Sequence, residues 1–97
     1  MDALRFEWDD EKEKVNIRKH GIPFDEVRTV FYDENAIQFF DPDHSEEEDR
    51  FILLGISFKL RILVVCHCIR ESETAIRLFS ARKADRDEER EYWRRRR

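Results

Sequence analysis

The sequence has little of the material from which several common active sites are built. Its 97 residues include two glycines, Gly21 and Gly55, and neither lies in a glycine-rich loop of the kind that cradles nucleotide phosphates. No serine stands in the G-x-S-x-G motif of the α/β-hydrolases. Nucleotide-dependent enzymes and serine hydrolases are therefore disfavoured.

Long apolar runs are also missing. A helix that spans a membrane needs about 20 consecutive apolar residues, and no stretch of the sequence approaches that length. The first residues lack the basic and then apolar order of a secretory signal peptide. We therefore expect a cytoplasmic protein that makes no membrane contact.

Cysteine is scarce, and the two cysteines lie in one apolar run. Cys66 and Cys68 are two residues apart, which places them on the same face of a strand and favours two buried thiols over a disulfide. His67 points to the other face, so it cannot join both cysteines around one tetrahedral zinc ion. The acidic segment at residues 41–49 lacks the glycine of a calcium-binding loop. We predict no metal site and no cofactor.

Charge is what the sequence has in abundance. Charged residues make up 43% of the chain, yet eight phenylalanines and two tryptophans supply enough apolar bulk for an ordered core. The length predicts one domain over residues 1–97, ending in a basic tail at residues 93–97. Residues 1–76 carry ten basic and eighteen acidic side chains, whereas residues 77–97 carry nine basic and five acidic ones. This asymmetry is typical of a surface for nucleic acid or an acidic partner, although a solvated face is the alternative.

Three helices are predicted from their end signals. Asp9 can cap a first helix that runs to His20 and stops at Gly21, a residue that tolerates the left-handed conformation. A second helix is expected over residues 24–32. A third begins at Asp85, because Glu88 stands at the capping-box spacing. The third helix has two apolar anchors, Tyr92 and Trp93.

The β-rich segments predict a small antiparallel sheet. They cover residues 4–8, 36–40, 50–57, 60–69 and 74–81. The last three read as a meander, so the fold class is α+β: an antiparallel sheet flanked by two N-terminal helices and one C-terminal helix. We expect the even-numbered side chains of residues 60–69 to face the core. A turn centred on Ser72 then sets His67 opposite Arg77, and Val65 opposite Phe79.

A histidine beside an arginine would suit RNA cleavage without a metal. That reaction needs a group that accepts the 2′-hydroxyl proton, a cation for the phosphorane and an acid for the leaving oxygen. His67 could move the protons and Arg77 could hold the phosphate, although a structural role for His67 is the alternative. Arg61 is too far along the strand to reach the same phosphate. Arg82 has the opposite parity to Arg77, so either the strand has ended there or Arg82 is structural.

Four segments carry a resemblance to a known family. In order along the chain they are FEWDDEKEKVNIRKHGIPFDEV, DPDHSEEEDRFILLG, VVCHCIRE and IRLFSARKADRDEEREY. Together they resemble the BrnT toxins of bacterial type II toxin-antitoxin systems over almost the whole chain. The resemblance implies a RelE-like ribonuclease that halts translation without a metal. It also implies a BrnA-type ribbon-helix-helix antitoxin, operator DNA bound only through the toxin-antitoxin complex, and allows a homodimer within that complex.

The resemblance also singles out polar positions. The matching residues are Lys19, His20, Arg50, His67, Arg77, Ser80, Arg82, Glu89, Arg90 and Tyr92. From these and the strand pattern we predict three catalytic residues, His67, Arg77 and Arg82. The predicted RNA-binding residues are Lys19, His20, Arg50, Arg61 and Lys83. Pro23 departs from the family pattern, which has a helix-capping Ser or Thr there, and the last four arginines extend beyond it. A non-catalytic module that binds nucleic acid or protein is the alternative function.

Overall fold

The computed structural model describes residues 3–44, 48–70 and 74–95. Its strands are β1 (Arg5–Glu7), β2 (Ile37–Asp41), β3 (Arg50–Ile56), β4 (Ile62–Arg70) and β5 (Ala75–Lys83). Its helices are α1 (Asp10–His20), α2 (Phe24–Val27) and α3 (Arg86–Arg95), with 3-10 segments at Arg28–Tyr32 and Pro42–His44. The α+β class is confirmed. None of the helices in the described ranges is long and apolar enough to cross a membrane.

The sheet is mixed, which corrects the prediction of a purely antiparallel one. Its strand order is β1-β5-β4-β3-β2; β3, β4 and β5 form the predicted antiparallel meander, and β2 extends it by pairing antiparallel with β3. β1 pairs with the outer edge of β5 in parallel, from Arg5 opposite Ala75 to Glu7 opposite Arg77. The meander leaves this edge open, and a sequence pattern does not reveal in which direction a distant strand will fill it.

The helix ends lie where the capping signals predict. The Asp9 carboxylate accepts the Glu11 N–H at 2.8 Å, and Gly21 ends α1 with φ at 71°. At α3, Asp85 and Glu88 each accept the other's backbone N–H at 2.8 Å. Residues 24–32 divide into α2 and a 3-10 segment.

Pro23 precedes α2 and offers it no side-chain cap. The Glu13 carboxylate of α1 accepts the Phe24 N–H at 2.8 Å and supplies the missing acceptor. A carboxylate from another helix therefore serves the first turn of α2 in place of a local capping side chain.

The sheet has two unlike faces. The helix-packed face carries the larger core, which consists of Ile22, Phe24, Val27, Val30, Leu53, Leu63, Val65, Ile76, Leu78 and Ala81. The open face carries a small cluster under α3, formed by Leu54, Ile62 and Tyr92. The predicted orientation of β4 is therefore wrong, because its odd-numbered residues face the main core. Both sets of β4 side chains are largely apolar, so alternation alone could not decide between them.

A β-bulge decides which residues of β5 face the same way. Between Cys66 and His67 the register with β4 shifts, so Cys66 lies opposite Ser80 and His67 lies opposite Leu78. Phe79 is left as the extra residue of the bulge. Beyond the bulge, the Ala81 N–H donates to the Asn16 side chain of α1 at 3.0 Å.

The bulge overturns the predicted strand register. Arg77 lies opposite Cys68 and Val65 opposite Ala81, so the expected pairs of His67 with Arg77 and of Val65 with Phe79 are wrong. The predicted turn centre, Ser72, is outside the described residues, as are residues 45–47 of the acidic segment.

The bulge also resolves the parity of Arg82. Arg82 lies opposite Val64, and Arg77 lies opposite Cys68, so both arginines belong to the open face. The strand does not end at Arg82, since β5 continues to Lys83, and Arg82 lies on the exposed side of the sheet and not beneath it.

Candidate functional site

A groove crosses the open face from α1 to α3. It consists of three adjoining hollows, which we name by position. The central hollow, about 240 Å³, is lined by His20, Asp41, Ile52, Val64, Cys66, Ser80, Ala81 and Arg82. The α1 hollow, about 510 Å³, shares His20 and Ser80 with it. The α3 hollow, about 340 Å³, shares Ile52, Val64 and Arg82 with it. A chain-like ligand could therefore lie along all three.

The last turn of α1 delivers two of the predicted RNA-binding residues to this groove. Lys19 and His20 are both exposed, and both line the α1 hollow. Because Gly21 ends the helix in the left-handed conformation, the chain turns away and leaves His20 at the rim of the central hollow. The structure thus brings His20 near Ser80 and Arg82, which are 60 or more positions away in sequence.

Arg82 stands where the central hollow meets the α3 hollow. Its two terminal nitrogens donate to the two carboxylate oxygens of Glu88 at 2.7 and 2.8 Å. This pairing raises the pKa of Arg82 and lowers that of Glu88. The Arg82 side chain is still 45% exposed, so a phosphate in the groove can reach a guanidinium that is already held in position.

Arg50 and Cys66 occupy the middle of the open face. The Arg50 guanidinium lies 4.0 Å from the ring centre of Phe79, the bulged residue, and Arg50 is opposite Asp41 in the sheet. Burial raises the pKa of the Cys66 thiol above its usual range; Arg50 opposes this effect and Asp41 adds to it. Cys66 is therefore a neutral thiol at physiological pH and a poor nucleophile.

His67 lies on the helix-packed face and has no exposed surface. The Phe31 ring meets it edge-on at 4.8 Å, and its Nε2 is 3.2 Å from the Gln38 side-chain oxygen. Burial lowers the pKa of His67 from 6.5 to about 4, although a hydrogen bond to the Val65 carbonyl works against the shift. A neutral, enclosed imidazole cannot touch a phosphate. The predicted catalytic role of His67 has no geometric support, and the structural alternative fits.

Arg77 lies on the open face but borders none of the three hollows. Its guanidinium is 3.8 Å from the Glu7 carboxylate of β1, and Arg70 approaches the same carboxylate at 3.5 Å. The parallel pairing of β1 with β5 creates this contact. Arg77 and His67 are thus on opposite faces of the sheet.

Arg61 holds the turn between β3 and β4. It forms a bidentate pair with Glu26, which is 1% exposed and also accepts the Ser57 hydroxyl at 2.7 Å. Burial alone would raise the pKa of Glu26, but the hydrogen bonds and charge of Arg61, with Ser57, outweigh it and lower the pKa. Lys83 is exposed beside Arg61 in a separate hollow of about 320 Å³. These two predicted RNA-binding residues therefore lie away from the groove.

The two cysteines share one face of β4, as the alternation predicts, but Cys68 is buried and Cys66 is only half-buried. Cys66 and Cys68 are free thiols on the open face, with His67 on the other side of the strand. Within residues 3–44, 48–70 and 74–95 there is no group of three His, Cys, Asp or Glu side chains that could hold a metal ion. The absence of a metal from the reaction stays a prediction.

Two features of the groove were missed from the sequence. Glu88 was identified only as a helix cap, yet it also fixes Arg82 six residues earlier, and Phe39 contributes an aromatic wall to the α3 hollow. The capping-box spacing supplied half of the signal for Glu88. The contact of Glu88 with Arg82 depends on a change of chain direction at residues 84–85, which only the three-dimensional structure reveals.

Cations and a histidine border a groove on an exposed sheet face, an arrangement that suits a small protein whose ligand is a polyanion. The sequence model of a family described as "Ribonuclease toxin, BrnT, of type II toxin-antitoxin system" matches residues 8–88. The chain therefore belongs to the BrnT family of ribonuclease toxins, as the resemblance predicted. Membership implies an RNA substrate and an antitoxin partner.

The fold is also that of a solved toxin. The crystal structure of the Brucella abortus ribonuclease toxin BrnT is similar to this chain with a TM-score of 0.64 and 24% sequence identity, covering 87% of this chain and 100% of that one. At this identity the likeness establishes a shared fold. No curated protein is significantly similar in sequence.

Proposed function

We propose that this chain is a metal-independent endoribonuclease that inhibits translation and cleaves RNA in the groove of the open face. One observation carries the proposal: His20, Ser80 and Arg82 border a single hollow of about 240 Å³. The groove offers an exposed proton-transfer group and an oriented cation together, and metal-free RNA cleavage needs both.

His20 takes the proton-transfer role that the strand pattern assigned to His67. A histidine can accept the 2′-hydroxyl proton or protonate the leaving 5′-oxygen near neutral pH. His20 is exposed at the end of α1, so a ribose can approach it from solvent. Because α1 is fixed to β5 by the Asn16 contact with Ala81, the imidazole is carried by a rigid element.

Arg82 stabilises the phosphorane. Its planar fork can donate two parallel hydrogen bonds to phosphate oxygens, and Glu88 holds that fork at the floor of the groove. RNA binding exchanges part of the Glu88 contact for phosphate contacts. Ser80, which is exposed in the same hollow, is placed to bind a further oxygen.

The other predicted residues divide by position. Lys19 borders the groove, Arg50 adjoins it through Phe79, and both bind neighbouring phosphates. Lys83 meets RNA at the far end of β5. Arg77 is two residues before Phe79, the first groove residue of β5, and contacts RNA only if Glu7 releases it. Arg61 acts through Glu26 as a structural residue.

The antitoxin in this proposal is of the BrnA ribbon-helix-helix type, and the complex binds operator DNA as a toxin homodimer with its antitoxins. The docking surface we assign is apolar: Leu60 and Trp93, which is 48% exposed, line the hollow that also contains Lys83. The single RelE-like domain over residues 1–97 and a cytoplasmic location belong to the same proposal. Co-expression with the neighbouring ribbon-helix-helix protein should give a stable complex, and failure to co-purify would refute this part.

The test compares RNA cleavage in EDTA by the wild-type protein and by His20→Ala and Arg82→Ala. We expect the wild type to cleave RNA and both variants to have lost this activity. Arg18→Ala and Arg90→Ala are matched controls, since both are exposed basic residues outside the three hollows. RNA left intact by the wild type, with ribosomes present as well, would instead favour the non-catalytic binding module.

A further inference from the structure

Apart from Arg82 and its partner Glu88, the residues that line the α3 hollow have no part in the proton and phosphate chemistry proposed above. It is about 340 Å³ in volume, and its apolar lining consists of Phe39, Ile52, Leu54 and Val64. Four charged residues form its rim: Arg82, Asp87, Glu88 and Glu91. Apolar hollows of this size with a few polar groups at the edge are the usual form of a small-molecule subsite.

The position of the hollow points to its ligand. It shares Arg82, Ile52 and Val64 with the central hollow, so a phosphate held by Arg82 lies at its entrance. In RNA, the ribose bonded to that phosphate carries a nucleobase. An RNA strand lying in the groove can therefore place a base into or over this hollow.

Phe39 gives the hollow a flat wall suited to a base. Its side chain is 38% exposed, and it lies on the edge strand β2, opposite Ile52. The Arg95 guanidinium is 5.9 Å from the centre of the Phe39 ring, so a cation borders the same wall. Aromatic rings and guanidinium planes are the surfaces on which proteins stack unpaired bases.

The rim gives the hollow a chemical preference. Asp87, Glu88 and Glu91 present carboxylate oxygens, which only accept hydrogen bonds. The Asp85 N–H donates to Glu88 at 2.8 Å and Arg94 donates to Glu91 at 2.6 Å, so these two acceptors are held in place. Adenine, guanine and cytosine carry an exocyclic amino group that can donate to them, whereas uracil carries none.

We propose that the α3 hollow binds the nucleobase next to the phosphate held at Arg82 and favours bases with an exocyclic amino group over uracil. This inference rests on the proposed function, because that function places RNA in the groove. An apolar side chain of a protein partner is the rival occupant. The base is favoured because the hollow continues the cationic groove at the residue that holds the phosphate.

The first test needs no cleavage. The wild-type protein, with labelled methyl groups, is titrated with AMP, GMP, CMP and UMP, and with ribose 5-phosphate, which has the phosphate but no base. The three amino-bearing nucleotides should shift the Ile52, Leu54 and Val64 methyl signals at lower concentration than UMP does, and ribose 5-phosphate should leave them in place. Equal responses to UMP and AMP, or to ribose 5-phosphate and AMP, would overturn the inference.

The second test uses Phe39→Ala, with Phe39→Tyr as the conservative variant. Phe58→Ala is the matched control, because Phe58 is an exposed phenylalanine outside the groove. Phe39→Ala should weaken AMP binding at least about fivefold, the lower end of what removal of a stacking aromatic causes. It should also change the distribution of bases beside the cut bond in sequenced cleavage products, while Phe39→Tyr and Phe58→Ala preserve both.

The two proposals can fail separately. If the wild type cleaves RNA but Phe39→Ala leaves AMP affinity and cleavage sites unchanged, the base subsite is wrong and the ribonuclease groove stands. If Phe39→Ala keeps AMP affinity and loses antitoxin affinity, the hollow belongs to the protein partner. If nucleotides shift the hollow's methyl groups but no RNA is ever cut, the subsite stands and the catalytic assignment fails.

Discussion

The two faces of the sheet hold the same residue types under opposite conditions. His67 on the helix-packed face is enclosed by aromatic rings, and its pKa falls to about 4, whereas His20 beside the open face is exposed. Of these two histidines, His20 is the one that a ligand can reach. Access to solvent, more than residue type, thus separates the structural histidine from the proposed catalytic one.

The arginines repeat this contrast. Arg61 and Arg82 are each paired with a carboxylate through two nitrogens. Glu26, the partner of Arg61, is 1% exposed, so its charge is stabilised mainly by the hydrogen bonds from Arg61 and Ser57 and by the charge of Arg61. Glu88 lies at the surface, so its pairing with Arg82 can be exchanged for a phosphate. Substitutions on the two faces should therefore affect different properties, catalysis on one and stability on the other.

The largest effect is expected at His20. General acid-base catalysis typically contributes 10²–10⁴-fold, so His20→Ala should lower kcat/KM for RNA by at least about 100-fold without changing the unfolding midpoint. His67→Gln should leave kcat/KM of the folded protein nearly intact. If the two variants exchange these results, the open face is not the catalytic one.

Arg61→Ala should destabilise the fold by about 3 kcal/mol, because it leaves the Glu26 charge buried with one hydroxyl partner. Urea unfolding measures this change. Arg28→Ala is the control, since its contact with Asp25 is exposed, 3.5 Å long and expected to contribute less than about 0.5 kcal/mol. An unchanged midpoint together with weaker RNA binding would make Arg61 an RNA contact after all.

The pH dependence of stability should report on His67. Its folded-state pKa of about 4 lies below the ordinary 6.5, so between these values the unfolded chain binds a proton that the folded chain does not. The stabilisation is fully present above pH 6.5 and is lost as the pH falls toward 4. Its ceiling is about 3 kcal/mol. Phe31, Phe51 and Gln38 surround the ring and carry no charge that would complicate the comparison.

His67→Gln removes this titration and keeps a polar side chain beside Gln38. Unfolding curves recorded from pH 7 to pH 4 should therefore fall less steeply for His67→Gln than for the wild type. Parallel curves would mean that the imidazole is protonated in the folded state, and hence that it reaches solvent.

The smallest effect is expected at the basic tail. Arg94 and Arg95 contact the Glu91 carboxylate at 2.6 and 2.5 Å, so part of their charge is already balanced. A chain ending at Trp93 should bind RNA slightly more weakly, and its salt dependence should be flatter by less than about one unit of slope for each phosphate that the tail no longer neutralises. The maximal cleavage rate should not change, and a large fall in it would place the tail in the active site.

The helix ends could be predicted from the sequence because they depend on local signals. Asp9, Gly21 and Asp85 determined the helix ends because capping depends on neighbours a few residues away. The parallel partner of β1 and the choice of the buried face of β4 depend on residues far apart in the chain. Those were the parts that came out wrong or stayed open.

The site was predicted in pieces for the same reason. The segment resemblance selected Lys19, His20 and Arg82, which the structure brings to one groove. It also selected His67, because a match of residue types does not report burial. The strand argument that joined His67 to Arg77 assumed an uninterrupted ladder, and one extra residue invalidated it.

That extra residue also affects how the gene can change. β5 pairs regularly with β4 on both sides of Phe79, and Phe79 itself has no partner residue in β4. Loss of this one codon would thus leave Leu78 on the helix-packed face and Arg82 in the groove. Loss of a codon farther from the bulge, such as that of Ile76, would turn the residues between the deletion and the bulge over, exchanging buried for exposed side chains. A deletion of residue 79 would therefore shorten β5 and leave the remaining side chains on the faces that they now occupy.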